Sequence, residues 1–295
     1  MIRRSEGATR RRGERISYSI NKKSRVSITK RSSRQLFFAR FVSSWLPLFS
    51  KSLKRFERTY LLLESLLPPL HHRMRRDLRR LAGLAGGTPE ILDVGGRKSH
   101  CTIGVPGWIT VSDLPRRTEL QEQLNLGVTP SMAGLLFQNR SNIRAVVFDD
   151  MTRSELPDGS FDCVMAIEVL EHVEEDDRFL AHVRRVLKPG GWFLMSTPNG
   201  DFLPNHNPDH KRHYTRAQLA ALLAKHFEEV EVEYAIAGGR YRRMGLRAWS
   251  PRKPLRTLMS MFGNVINRLQ SADARLREQA RGTHHLIARA GKRDG

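Results

Sequence analysis

From residue 89 onward the chain alternates short apolar runs with longer amphipathic stretches. Apolar runs at 90–94, 108–112, 144–148, 163–167, 192–195, 229–237 and 284–290 predict strands. Helical spacing predicts helices at 119–124, 171–187, 216–226 and 256–279. This alternation predicts an α/β fold: a Rossmann-like, doubly wound, mostly parallel sheet with helices on both faces. Upstream, Leu53, Phe56, Tyr60 and Leu63 repeat at helical spacing until Pro68-Pro69 interrupts them. Residues 36–84 therefore read as a helical extension. Residues 1–35 hold many Arg, Lys and Ser, have Glu6 and Glu14 as their acids, and lack apolar periodicity. They read as a disordered basic tail, with a composition resembling a transit peptide. The α/β domain then occupies 85–295, with a helical insertion at about 241–282 between the last two strands.

Charge sharpens this division. Residues 1–80 carry 22 Lys and Arg against 5 Asp and Glu; residues 81–239 carry 15 against 22; residues 240–295 carry 14 against 3. A mildly acidic centre between two basic arms suggests a polyanionic neighbour, either an anionic membrane met through the N-terminal region or a nucleic acid. The two cysteines, Cys101 and Cys163, offer neither a disulfide framework nor zinc spacing, which fits a reducing, cytoplasmic setting at or near a membrane. No apolar run reaches the roughly 18 residues needed to span a bilayer.

The chemistry gathers where strands end. The first strand runs into Gly95-Gly96, where a missing Cβ lets backbone approach a ligand. The second ends at Asp113, 18 residues after Gly95, where nucleotide-binding α/β folds place a ribose-binding acid. The third ends in Asp149-Asp150-Met151, and an acid followed by an apolar residue can bracket an adenine. The fourth ends in Glu168-Val-Leu-Glu171-His172. A helix starting near Glu168 would put positions 168, 171 and 172 on one face. After the fifth strand, residues 205–215 read Asn-His-Asn-Pro-Asp-His-Lys-Arg-His-Tyr-Thr and would hang over the same sheet edge. There His210 and His213 are candidate bases and Tyr214 a candidate acceptor-orienting group. Thr215 through Gln218 read as a capping box.

These residues resemble a class I S-adenosylmethionine-dependent methyltransferase. The resemblance rests on Leu-Asp-Val-Gly at 92–95, Asp113, Asp150, Leu-Pro-Asp-Gly-Ser-Phe-Asp at 156–162, Ile-Glu-Val-Leu-Glu-His-Val at 167–173, Leu-Lys-Pro-Gly-Gly at 187–191 and Ser-Thr-Pro-Asn at 196–199. It covers about residues 89–240 and is similar to the ubiquinone-pathway O-methyltransferases and type 11 methyltransferase-like domains. It implies a seven-stranded sheet with an antiparallel last pair. It also implies that Asp93, Gly95 and Gly96 line the amino-acid end of S-adenosylmethionine, that Asp113 holds its ribose, that Asp150 and Met151 frame its adenine, and that Glu168 lies near its methionine. The family's Gly-x-Gly-x-Gly loop departs here, with Arg97 and Ser99 at the second and third glycine positions.

Small-RNA 2′-O-methyltransferases carry a similar Glu-x-x-Glu-His and Asp-His-Lys. That likeness implies a Mg²⁺ or Mn²⁺ site at Glu168, Glu171, His172 and His210. The resemblance as a whole implies methylation of an oxygen on a small-molecule, lipid-linked or glycan acceptor. Two alternatives stand beside it: a metal-assisted RNA 2′-O-methyltransferase, and a non-catalytic methyltransferase-like binding subunit motivated by Arg97 and Ser99.

Overall fold

The computed structural model describes residues 53–115 and 127–293. The basic tail at 1–35, the first part of the helical extension and the helix expected at 119–124 lie outside the described residues.

The elements follow one another as α1 (Arg55–Leu63), α2 (Pro69–Ala82), β1 (Glu90–Val94), β2 (Trp108–Asp113), α3 (Pro130–Asn139), β3 (Ile143–Phe148), β4 (Phe161–Ile167), α4 (Asp176–Val186), β5 (Leu187–Pro198), α5 (Arg216–Ala224), β6 (Glu229–Ala237), α6 (Arg240–Gly245), α7 (Pro254–Ser271) and β7 (Thr283–Gly291). The seven strands form one sheet in the order β3-β2-β1-β4-β5-β7-β6. The first five run parallel, while β7 lies antiparallel between β5 and β6. The mostly parallel sheet with its antiparallel last pair is the architecture expected from the sequence.

Burial on both faces explains why the central strands β1 and β4 are mainly apolar rather than alternating. Leu92, Val164 and Phe193 point to one face, where Phe179, Leu180 and Val183 of α4 and Leu219 and Leu223 of α5 cover them. Ile91, Ile109, Met165 and Leu194 point to the other, under Met74 and Leu78 of α2 and Ala133 of α3. The N-terminal helix α2 is thus part of the core of the sheet. At α5 the Thr215 hydroxyl accepts from the Gln218 amide at 3.2 Å and the Gln218 side chain accepts from the Thr215 amide at 3.0 Å, which is the expected capping box.

Three local expectations are corrected. The helix placed at 171–187 begins at Asp176, because Glu168 adopts a left-handed backbone (φ 53°) and Leu170–His172 close a single 3₁₀ turn. The strand expected at 192–195 begins earlier, at Leu187, and takes in the Lys-Pro-Gly-Gly segment. The helix α3 has no counterpart in the hydrophobic pattern; Pro130 at its first position and Thr129, whose hydroxyl accepts from the Met132 amide, set its start. Among the described residues no helix is long and apolar enough to cross a membrane.

An ion-pair network ties α2 to the sheet's antiparallel end. Arg289 on β7 donates to Asp77 and to Glu233, both at 2.7 Å, and Arg73 pairs with the same two carboxylates. Burial alone would raise the Asp77 carboxyl, but Arg73 and Arg289 outweigh it and hold the group below its usual range. Removing Arg289 leaves two buried carboxylates to share Arg73, so Arg289→Ala should cost about 2 kcal/mol of unfolding free energy. Because Asp77 is depressed in the folded state, its contribution is complete above the unfolded value of 3.8 and fades as pH falls below it. Urea titrations of wild type and Arg289→Ala at pH 7 and pH 3 should show the difference shrinking in acid.

Candidate active site

The carboxyl ends of β1 to β4 open on one edge of the sheet, where open α/β folds bind ligands. At the end of β1, Gly95 is left-handed (φ 66°), and a Cβ added there would lie 2.9 Å from Val169. A Cβ on Gly96 would lie 2.5 Å from the Asp93 carboxyl carbon. Both positions therefore need glycine, and the loop closes tightly over Asp93. Asp93 itself is fully buried. It accepts from the Thr102 hydroxyl at 2.9 Å, and its other oxygen has no hydrogen-bond partner among the described residues. Burial pushes its carboxyl up to about 6, against the opposing pull of Arg140.

Residues 95–107, which join β1 to β2, form no α-helix; only the 3₁₀ turn Gly96–Lys98 is regular. Arg97 leaves this turn and reaches Asp113 at the end of β2, with Nε 3.7 Å from Oδ2. The other Asp113 oxygen accepts from the Leu114 amide at 2.8 Å. Behind Arg97 lies a recess of about 220 Å³, walled by Phe56 of α1, Ile103, Leu136 and Arg140. At the end of β3 the Asp150 carboxylate caps its own turn by accepting from the Thr152 amide and hydroxyl, while the Met151 side chain packs into the core.

The left-handed conformation of Glu168 aims its carboxylate across the sheet rather than along a helix. It accepts from the Ser196 hydroxyl on β5 at 2.9 Å and lies 3.5 Å from His285 Nε2 on β7. Burial would raise Glu168, but His285 and Ser196 outweigh it and hold the group below its usual range. Glu171 is fully buried and accepts from the Thr197 hydroxyl at 3.1 Å. Burial, and then the neighbouring Glu168 charge, push Glu171 well above the carboxylate range. Two neighbouring carboxyls are thus driven apart, with Glu168 favoured as the anion and Glu171 as the acid.

The histidine loop hangs over this pair as expected. Its backbone is fastened by the Lys211 amide, which donates to the Glu171 carbonyl at 2.7 Å. Tyr214 is a strut rather than an acceptor-orienting group: it is buried, and its hydroxyl donates to Asp176 at 2.7 Å. The hydrogen bonds fix tautomers. His213 Nδ1 can only donate to the Leu203 carbonyl at 3.1 Å, so in the neutral ring Nε2 must accept. His210 Nδ1 therefore donates to His213 Nε2 at 2.8 Å, leaving His210 Nε2 as a bare acceptor. His172 Nδ1 likewise donates to the Asp209 carbonyl at 3.1 Å. Burial, followed by His172 and His213, lowers His210 and keeps it neutral at pH 7.

The sequence-based site is redistributed by this geometry. Both nitrogens of His213 are engaged, so it positions His210 and is not itself a base. Glu168 leaves the expected metal set, turned by its backbone toward Ser196 and His285. Glu171, His172 and His210 do converge, with one potential ligand atom from each lying within 4.8 Å of the others. Four groups around Glu168 were missed: Ser196 and His285, which contact its carboxylate, and His284 and Arg242, which interact with its charge. The signal was available for the two histidines. An antiparallel last strand starts where β5 ends, and the register pairs Pro198 with His285. Asn199 locks that junction by donating to Ala280 O and Thr283 Oγ1, both at 3.0 Å.

The Arg97–Asp113 pair must open before a vicinal diol can reach Asp113. Arg97→Gly should therefore bind S-adenosylhomocysteine about three- to tenfold more tightly than wild type, a gain of ~1 kcal/mol, as measured by calorimetry.

Known proteins resemble part of the chain. Residues 122–195 match a family model described as a methyltransferase domain. A probable S-adenosylmethionine-dependent methyltransferase of Mycolicibacterium smegmatis is 43% identical over 81 residues, covering 26% of this chain and 32% of that protein. The ubiquinone biosynthesis O-methyltransferase of Pseudomonas paraeruginosa is 31% identical over 121 residues, covering 40% of this chain and 47% of that protein. The matched region thus spans about a third to a half of these curated relatives. A solved S-adenosylmethionine-dependent methyltransferase from Archaeoglobus fulgidus aligns over 75% of this chain and 94% of its own, at 16% identity and a TM-score of 0.47. Residues 122–195 thus match a methyltransferase domain, and over about a quarter to two fifths of its length the chain is similar to S-adenosylmethionine-dependent methyltransferases.

Proposed function

We propose that this protein methylates an oxygen atom of a small-molecule, lipid-linked or glycan acceptor, using S-adenosylmethionine. One observation carries the reading: a neutral imidazole, His210, whose unprotonated nitrogen is fixed by a relay through His213 to a backbone carbonyl, next to the acid pair at the end of β4. The residues at the strand ends fit the cofactor. The Gly95-Gly96 turn leaves bare backbone beside the unpartnered oxygen of Asp93, and Asp113 offers a carboxylate to a diol once Arg97 moves. The cofactor supplies an electrophilic methyl group on a good leaving group, so the protein's own work is alignment and proton removal.

In this reading Asp113 fixes the nucleoside end. The Glu168 anion, held by Ser196 and His285, favours positive charge near the reacting centre. His210 Nε2 accepts the acceptor's hydroxyl proton as the oxygen–methyl bond forms. The His213 relay keeps that nitrogen free of a proton until then. Replacing His210 with Ala should lower kcat about 10²- to 10⁴-fold and leave S-adenosylhomocysteine affinity unchanged. The assay is transfer of label from methyl-labelled cofactor into fractionated cell extract, followed by the rate on the labelled fraction. An unchanged rate in His210→Ala would remove the base from the account.

A second reading is favoured by the convergence of Glu171, His172 and His210: a metal-assisted RNA 2′-O-methyltransferase. Carboxylate and imidazole donors suit Mn²⁺ or Mg²⁺, and the carbonyl-anchored Nδ1 of His172 is the kind of support that orients ligating imidazoles. A bound divalent ion would lower the pKa of an acceptor hydroxyl. On this reading, Mn²⁺ at 100 times its dissociation constant stabilises the protein by about 2.7 kcal/mol, and Glu171→Gln abolishes that gain in thermal unfolding. No shift with Mn²⁺, together with label entering a lipid or glycan fraction, excludes it.

A further inference from the structure

The insertion between β6 and β7 contains a helix built inside out. Toward the protein, α7 turns Ser260, Gly263, Asn264 and Asn267, all buried. These small and polar residues hold it down. Asn264 Nδ2 donates to the Leu66 carbonyl at 2.9 Å, Asn267 Nδ2 to the Ala237 carbonyl at 2.7 Å, and Ser260 Oγ to the Gly245 carbonyl at 2.8 Å. Gly263 lets α6 pack backbone to backbone, since a Cβ there would lie 3.0 Å from Gly245 N. The large apolar side chains point the other way. Leu255, Leu258, Met259, Phe262 and Leu269 are 71%, 62%, 41%, 56% and 63% exposed, at the spacing of a single helix face. Scattered exposed leucines are ordinary, but a continuous stripe on a helix whose polar face is buried calls for a non-aqueous cover.

Charge identifies the cover. Between Tyr234 and Ala272 the chain has eight Lys and Arg and no Asp or Glu. Arg243, Arg247, Arg252, Lys253 and Arg256 are exposed, and they form no ion pair among the described residues. An apolar helix face beside a run of unpaired cations fits the interface of an anionic bilayer, where the apolar residues enter the acyl boundary and the cations meet lipid phosphates. A second copy of the chain is a poor fit, because a two-fold contact would bring the same cations face to face. The 18 residues of α7 are not apolar enough to span a membrane.

We propose that α7 and the basic segment before it dock this protein on the surface of an anionic lipid bilayer. This segment is separate in sequence from the basic N-terminal region and does not depend on the methyl-transfer reading. It does bear on that reading. The insertion leaves the sheet at the edge where β5 ends, and Arg242 of α6 is close enough to Glu168 to feel its charge. Docking would therefore set the candidate site beside the lipid surface, within reach of a lipid-linked acceptor.

The test is flotation of the full chain with phosphatidylcholine vesicles, with and without about 30 mol % phosphatidylglycerol. Wild type should float with the anionic vesicles and release as salt rises. The double variant Leu258→Asp with Phe262→Asp should bind at least about tenfold more weakly, and so should Lys253→Glu with Arg256→Glu. Because these side chains are exposed, both variants should unfold at the wild-type temperature and bind S-adenosylhomocysteine as wild type does. The proposal is overturned if wild type does not float, or if both variants float as wild type does, which would assign binding to the N-terminal region. It is also overturned if sedimentation shows a dimer that Phe262→Asp dissociates, which would make the stripe an interface between copies.

Discussion

A sheet buried on both faces can present polar chemistry only where its strands end. β1, β4 and β5 are covered by α2 and α3 on one side and by α4 and α5 on the other, and their side chains are apolar to the last turn of the pleat. The parallel direction of β1 to β5 then sends Gly95, Asp113, Asp150 and Glu168 to a single edge. The antiparallel β7 completes the arrangement. Because it runs the other way, its first residues, His284 and His285, arrive at that same edge beside Glu168. Direction of travel along the sheet, more than any single contact, decides which ionisable groups meet.

The acid pair at the end of β4 shows what this confinement does. Glu168 and Glu171 are close in space but differently served. Ser196 and His285 stabilise one as an anion, while the other is buried with a single hydroxyl donor. Neighbouring carboxyls whose environments drive them apart are the usual basis for dividing acid and anion roles. The histidine relay adds an imidazole of fixed tautomer, the base of the proposed reaction. His284, pushed down to about 3 by burial, His285 and Arg242, stays uncharged near Glu168.

Much of this was legible in the residues. Seven apolar runs matched seven strands because strands in a covered sheet need apolar sequence, and the acids Asp113, Asp150 and Glu168 at the ends of β2, β3 and β4 followed from their order. What was not legible depended on backbone geometry. Glu168 reads as a helix start, since nothing in Glu-Val-Leu-Glu-His announces a left-handed residue; that single φ angle moved Glu168 from a metal set to Ser196 and His285. The engagement of Arg97 with Asp113 needed the distance across two strands. His284 and His285 were recognised as a strand start, but their role depended on the strand's direction. The helix α7 was expected near its observed place, whereas the inversion of its faces could be seen only once its contacts were known.

On the proposed reading the edge formed by β1 to β4 is a cofactor site. Its most direct test is a crystal structure of the protein soaked with S-adenosylhomocysteine. Density is expected along that edge, with the ribose hydroxyls on Asp113, Arg97 swung away from it, and the sulfur directed toward His210. Density for the ligand elsewhere, or a fully occupied site with the Arg97–Asp113 pair still closed and the sulfur remote from His210, would contradict it.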